Sequence, residues 1–110
     1  MERLKLPTNV VGFVHGKSTW ARSGMLVHNT VAEPGWEGYL TLELFNHGTN
    51  YICLKAGMGI VQVVFCFLDE TTNNPYAGKY QGQKAGPQPA IFETGDFWKD
   101  HPLVAEAYQR

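Results

Sequence analysis

Apolar and polar residues alternate in short runs along this chain, and Gly, Pro and Asn punctuate the runs. The runs cover Arg3–Leu6, Val10–His15, Met25–His28, Tyr39–Phe45, Tyr51–Leu54 and Ile60–Leu68. Breaks fall at Pro7-Thr8-Asn9, Pro34-Gly35, His47-Gly48-Thr49-Asn50 and Ala56-Gly57. Strand-length segments divided by turn formers predict an all-β architecture, a sandwich, jelly roll or barrel. Helical character is confined to Ser18–Ser23, with Ser18 as its expected N-cap. From Asp69 onward the chain turns to Thr, Asn, Pro, Gly, Gln and Lys, the composition of a long loop or tail. Over Asp96–Arg110, Trp, Phe and Val mixed with charges allow a short helix broken at Pro102.

Within the run Tyr39–Phe45, period-two alternation puts Leu40, Leu42 and Leu44 on one face and Thr41, Glu43 and Phe45 on the other. Glutamate is depleted in strands. Glu43 is therefore expected to point away from the leucines, either to solvent or into a pocket, and that choice bears directly on function.

Composition narrows the classes. A chain of 110 residues, 44% hydrophobic and 17% charged, has the makings of one globular domain. A formal charge of −1 offers no bulk attraction to nucleic acid or an anionic membrane, so neither is expected as a partner. The longest apolar run, Val63 to Leu68, is strand-sized and too short to span a bilayer. The N-terminal MERLKLPTN lacks the apolar core of a signal peptide. Cys53 and Cys66 lie in apolar runs and are expected as buried free thiols of a cytoplasmic protein.

Two chemical motifs are set aside. Gly12-Phe-Val-His-Gly16-Lys17-Ser18-Thr19 resembles a P-loop, but it is one residue short and carries Phe, Val and His where the loop must curl around phosphate. The strand–helix alternation of a P-loop domain is also missing. His15, His28, His47 and His101 show no metal-binding spacing, the cysteines lie far apart, and the zinc deaminase signature is absent. No metal held by the protein itself is expected.

Four blocks in register resemble dCTP deaminases, of the trimeric dUTPase-like superfamily. Leu6-Pro7, Val10-Val11-Gly12 and Gly16-Lys17-Ser18-Thr19-Trp20-Ala21-Arg22-Ser23-Gly24 form the first. Pro34-Gly35-Trp36-Glu37-Gly38 with Thr41-Leu42-Glu43-Leu44-Phe45-Asn46 is the second, and Gly57-Met58-Gly59-Ile60-Val61-Gln62-Val63-Val64-Phe65 the third. Pro75-Tyr76 and Lys79-Tyr80-Gln81-Gly82-Gln83 resemble the family's nucleotide-covering segment. The likeness runs from Leu4 to Gln83. It implies a distorted jelly roll of the β-clip type with one short helical turn, occupying residues 1–84, followed by a tail over 85–110.

The same resemblance implies roles. Glu43 takes the position of the catalytic general base and acid, with Arg22 and Ser18 lining the same pocket. Lys17, Ser18 and Thr19 are implied to hold triphosphate oxygens. Tyr76, Lys79 and Gln83 are implied to close over the nucleotide, and Thr41 and Glu33 to contact it. Gln62 is left between a ligand contact and a hydrogen bond at a subunit interface. Trp20 and Trp36 are expected in packing, with Trp36 able to border the pocket. The resemblance implies magnesium carried on the triphosphate, no zinc, and sites built between the subunits of a homotrimer. The expected reaction is deamination of dCTP to dUTP and ammonia. The alternatives are dUTP hydrolysis with Glu33 in the catalytic carboxylate's place, both reactions together, or a non-catalytic nucleotide-binding module.

Three departures from the family stand out. Lys17 replaces the usual arginine. Between Thr30 and Glu33 the chain is shorter, with Val31 and Ala32 where the family has residues that help separate cytosine from uracil. Met1 begins where the family already has a substantial N-terminal part, as expected of a fragment, an altered start or a reduced form.

Overall fold

Eight short elements make up the computed structural model, which describes residues 2–91. In chain order they are β1 (Arg3–Lys5), β2 (Val10–Gly16), α1 (Ser18–Arg22), β3 (Met25–Val27), β4 (Val31–Ala32), β5 (Glu37–Tyr39), β6 (Leu44–Asn46) and β7 (Val61–Phe67). The strands form three antiparallel sheets, ordered β4-β2-β7, β1-β5 and β3-β6. This is the all-β arrangement with one short helix expected of a dUTPase-like fold. The helix expected over Asp96–Arg110 lies outside the described residues.

The longest pairing joins β2 to β7 from Val10↔Phe67 to Gly16↔Val61. Residues directly opposite one another share a face. One face of the sheet therefore carries Val10, Gly12 and Val14, all buried, together with buried Ala32 of β4. The core gathers there: Leu6, Val10, Ala32 and Trp36 pack together, with Leu4, Leu40 and Tyr76 against them. The other face presents Phe13, Val31 and Val64, which are 37%, 46% and 47% exposed. Cys66 shares that open face through its register with Val11.

Two tight features lock the core's rim. Pro34 and Gly35 make a turn closed by the Trp36 N–H donating to the Glu33 carbonyl at 3.0 Å. Gly35, at φ +87°, supplies the positive φ that such a turn needs after proline. At Gly38 a Cβ would fall 2.8 Å from the Gln83 nitrogen, so only a glycine lets the later segment lie against β5.

Several expectations are corrected. Lys17, extended at φ −106° and ψ 146°, takes the N-cap position in place of Ser18, and no side chain caps the helix. Trp20 anchors α1 instead, its Nε1 donating to the Gly59 carbonyl at 2.9 Å. The run Tyr39–Phe45 does not form one strand. β5 stops at Tyr39, β6 begins at Leu44, and side chains hold the stretch between them, so Glu43 precedes a strand. Tyr51–Leu54 pairs with nothing among the described residues, and Tyr51 is fully exposed, leaving no packing to favour extension there. Both cysteines are free as expected, yet exposed. Cys66 faces away from the core, and Cys53 sits on that irregular stretch.

Candidate functional site

The irregular stretch between β5 and β6 forms one wall of a cleft of about 410 Å³. Ala32, Trp36 and Leu40 give it an apolar floor, while Glu33 and Glu43 bring two carboxylates to it. Thr41 and Gln83 add a hydroxyl and an amide, and Tyr76 and Tyr80 add phenols. Gln88, Pro89 and Ala90 line the remaining side, so the first part of the segment after residue 84 belongs to the cleft wall.

Trp36 is the hinge between core and cleft. Its ring is buried and its Nε1 donates to the Tyr80 carbonyl at 2.9 Å, so packing and a satisfied polar end fix one indole. Glutamines then fasten residues 76–88 alongside β5. The Gln81 amide donates to the Gly35 and Tyr76 carbonyls, and its oxygen accepts from the Glu37 N–H at 2.7 Å. Gln83 Nε2 donates to the Tyr39 carbonyl and to Thr41 Oγ1, both at 2.8 Å. Gly38 and Gln83 form a parallel bridge, with the Tyr39 N–H donating to the Gln83 carbonyl. The Tyr76 hydroxyl accepts from the Tyr80 N–H, and the Tyr80 hydroxyl accepts from the Ile91 N–H. Glutamine serves here because one side chain offers both a donor and an acceptor to backbone that has left the sheet.

Of the residues expected at a site, the cleft gathers Glu33, Thr41, Glu43, Tyr76 and Gln83. Lys17, Ser18, Thr19 and Arg22 lie exposed on or beside α1 and line no part of it. Lys17 rests against Gly59, its Nζ 3.0 Å from where a Cβ on that glycine would stand. Gln62 donates to the Gly16 carbonyl at 2.9 Å and lines a separate shallow depression with His15 and His28. Lys79 carries its ammonium over the Tyr80 ring, 5.5 Å from the centroid.

Asn29, Tyr80 and Gln88 line the cleft without having been picked out from the sequence. Tyr80 sits inside a block already read as nucleotide-covering. Asn29 and Gln88 carry no signal beyond an amide in a polar stretch. Among the described residues, the cleft lining contains no Lys or Arg.

An apolar floor with a few convergent polar groups and this volume has the form of a small-molecule cleft, set in an all-β domain. The sequence profile of the dCTP deaminase-like family matches residues 1–68, and the chain belongs to that family. A dCTP deaminase of Thermococcus kodakarensis is 43% identical over 84 residues, covering 76% of this chain and 54% of the relative. One from Pyrococcus horikoshii is 44% identical over 82 residues, covering 74% and 53%. A protein of Persephonella marina named dCTP deaminase, dUMP-forming, is 39% identical over 96 residues, covering 86% and 53%. The chain thus spans about half the length of the curated relatives it matches.

Proposed function

We propose that this chain deaminates dCTP to dUTP and ammonia, with Glu43 as general base and then general acid. The observation that carries the reading is Glu43 at the mouth of an apolar-floored cleft, in a chain of the dCTP deaminase-like family. Glu43 takes a proton from water and passes it to N3 of the cytosine as the water oxygen bonds to C4. It then takes the remaining hydroxyl proton and hands it to the exocyclic amine. The C4–N bond breaks, ammonia leaves and the C4 carbonyl forms. The apolar floor suits the flat base, and Thr41, Gln83 and Tyr76 supply polar contacts at its edge.

The cleft offers two carboxylates and no cation among its described lining, which is a poor match to a triphosphate. Lys17, Ser18, Thr19 and Arg22 are the groups such a substrate needs, and they stand exposed on another part of the surface. A homotrimer in which one copy's α1 meets its neighbour's cleft would join the halves, with Arg22 and Ser18 beside the reacting base. The open apolar face of β4-β2-β7 supports that association. Magnesium enters as part of the substrate, held by the triphosphate's own oxygens, and zinc has no place in this scheme. Lys79 would act from the nucleotide-covering segment, while Gln62, bonded within its own chain, is a lesser contact. A cytoplasmic setting, where thiols stay reduced, suits the two free cysteines.

A second reading has its own observation. Glu33 lines the same cleft, and one relative is named dUMP-forming, so hydrolysis of dUTP to dUMP and pyrophosphate with Glu33 aiding the attacking water is the alternative or additional activity. The deciding experiment measures ammonia, pyrophosphate and bound nucleotide together, with dCTP and then dUTP. Ammonia alone supports deamination, pyrophosphate as well supports both reactions, and retained nucleotide without either product makes the chain a binding module.

A further inference from the structure

The stretch that carries Glu43 has lost its neighbouring strand at the point where the carboxylate must be aimed. β3 and β6 pair from Met25↔Asn46 to Val27↔Leu44. One more backbone bond follows, from the His28 N–H to the Glu43 carbonyl at 2.8 Å. Beyond it the chain after His28 runs irregularly. Asn29 takes over. Its Oδ1 accepts from the Glu43 N–H at 2.8 Å, and its Nδ2 donates to the Thr41 carbonyl at 2.8 Å. One carboxamide thereby meets two backbone groups that lie two residues apart on the same edge, as the backbone of an adjoining strand would.

We propose that Asn29 is the positioning residue that fixes the Glu43 backbone and so sets the reach of its carboxylate into the cleft. The inference rests on the reading of Glu43 as the acid–base group. Among the described residues the Glu43 side chain is exposed and makes no hydrogen bond, so its aim depends on the backbone that carries it. Asn29 is part-buried and lines the same cleft, so the clamp lies beside the group that it orients. Thr41 extends the clamp, since its hydroxyl accepts from Gln83 Nε2 and from the Gln88 N–H. One asparagine thus ties the β6 approach to the segment along the cleft's far side. Asparagine is needed because aspartate lacks the donor for Thr41 and leucine lacks both groups. A base must come within hydrogen-bond reach of its water, and an ångström of misplacement can cost as much as ~10²-fold in rate.

The test uses Asn29→Leu, close in shape but unable to make either bond, together with Glu43→Gln and the double variant. Steady-state turnover of dCTP is measured beside amide hydrogen exchange. The expected result is a kcat at least ~10-fold lower in Asn29→Leu with KM changed less than ~3-fold, because the base is misaimed while binding groups stay put. The double variant should be no slower than Glu43→Gln alone, since Asn29 acts through Glu43. Exchange at the Glu43 amide should speed up by at least ~10-fold while the β2–β7 ladder keeps its protection. Unchanged Glu43 exchange overturns the proposal, as does unchanged kcat or a double variant slowed by the full Asn29 factor. A fully active Glu43→Gln, or a parent that releases no ammonia, removes instead the reading of Glu43, and the exchange arm still judges the clamp. Asn29→Ala repeats each arm without adding apolar bulk. Loss of folding in both variants, seen by circular dichroism, overturns the proposal, because a positioning residue costs rate rather than fold.

Discussion

The two faces of the β4-β2-β7 sheet belong to the same strands yet solve different problems. Inward, Val10, Val14 and Ala32 are buried, with Leu6 and Trp36 completing a core that also floors the cleft. Outward, Phe13, Val31 and Val64 stay exposed, while Phe65 and Phe67 of β7, opposite Gly12 and Val10 on the inner face, are 53% and 83% exposed. Around Trp36 the inner region is closed within one chain: its indole is satisfied, its turn is closed and its segments are fastened by glutamine amides. The outer face leaves apolar surface open, and the cations Lys17 and Arg22 stand exposed at α1. Under the proposed trimeric assembly a single chain would hold its site in two separated halves, the carboxylates in the cleft and the cations at α1.

The largest effect should come from breaking the finished side. Trp36→Ala removes a buried ring and its hydrogen bond to Tyr80, and should cost about 3–5 kcal/mol of unfolding free energy, the usual range for a core aromatic. Denaturant titration reads this directly. If Trp36→Ala unfolds at the parent's midpoint, the core is elsewhere and the contrast between the two faces collapses.

Next in size is the chemical contrast between the halves. Glu43→Gln should lower dCTP turnover by at least ~10²-fold with little change in nucleotide affinity. Arg22→Ala should also be inactive, for want of a group from the other half. Co-refolding the two inactive chains in equal amounts should restore roughly a quarter of parental turnover, because random assembly gives that share of sites an intact Glu43 beside an intact Arg22 from a neighbour. Ammonia release by the mixture measures it. No recovery would mean that each chain supplies both groups itself.

A third prediction concerns the open face alone. Val64→Lys places a charge among Phe13, Val31 and Cys66, where a partner would have to desolvate it. The parent should sediment as a trimer at micromolar concentration and the variant as a folded monomer. A parent that sediments as a monomer would dismiss the shared site.

The same contrast explains what the sequence made legible. β2 and β7 were readable to within a residue at either end because β-branched and aromatic runs bounded by turns admit few other structures. The stretch Leu40–Glu43 misled because its alternation is that of a strand, while side-chain amides from Asn29 and Gln83 hold it irregular. Periodicity cannot register a bond made by a residue more than ten positions away, as Asn29 to Thr41 or Gln83 to Thr41. β4 escaped notice because two residues, Val31–Ala32, are too few to show a period. Cysteine burial was misjudged because an apolar run says that a strand has apolar faces without saying that both are covered. Glu43 stood out as a carboxylate in an alternating run, but Glu33, Thr41, Tyr76 and Gln83 came into view through a family resemblance, which records what packing arguments cannot: which polar groups share a cleft.

The smallest expected effect sharpens the charged half. Lys17 sits at the start of α1 with its ammonium against Gly59, exposed and unable to grip a phosphate in two places at once. An ammonium in that setting is a screened point charge, so Lys17→Ala should raise KM for dCTP by only about 5-fold, comparable to an exposed ion pair. Lys17→Arg should restore the parental value to within ~3-fold and improve it at low salt, because a guanidinium can bind phosphate oxygens bidentately. Magnesium should matter more than either substitution, since a triphosphate carries more negative charge than a protein with a net charge of −1 can offset with scattered side chains. Calorimetry with dCTP, with and without magnesium, orders these effects. Equal affinity in the two conditions would mean that the cations of α1 hold the phosphates unaided, and that the charged half of the site is far more complete in one chain than the exposed position of α1 implies.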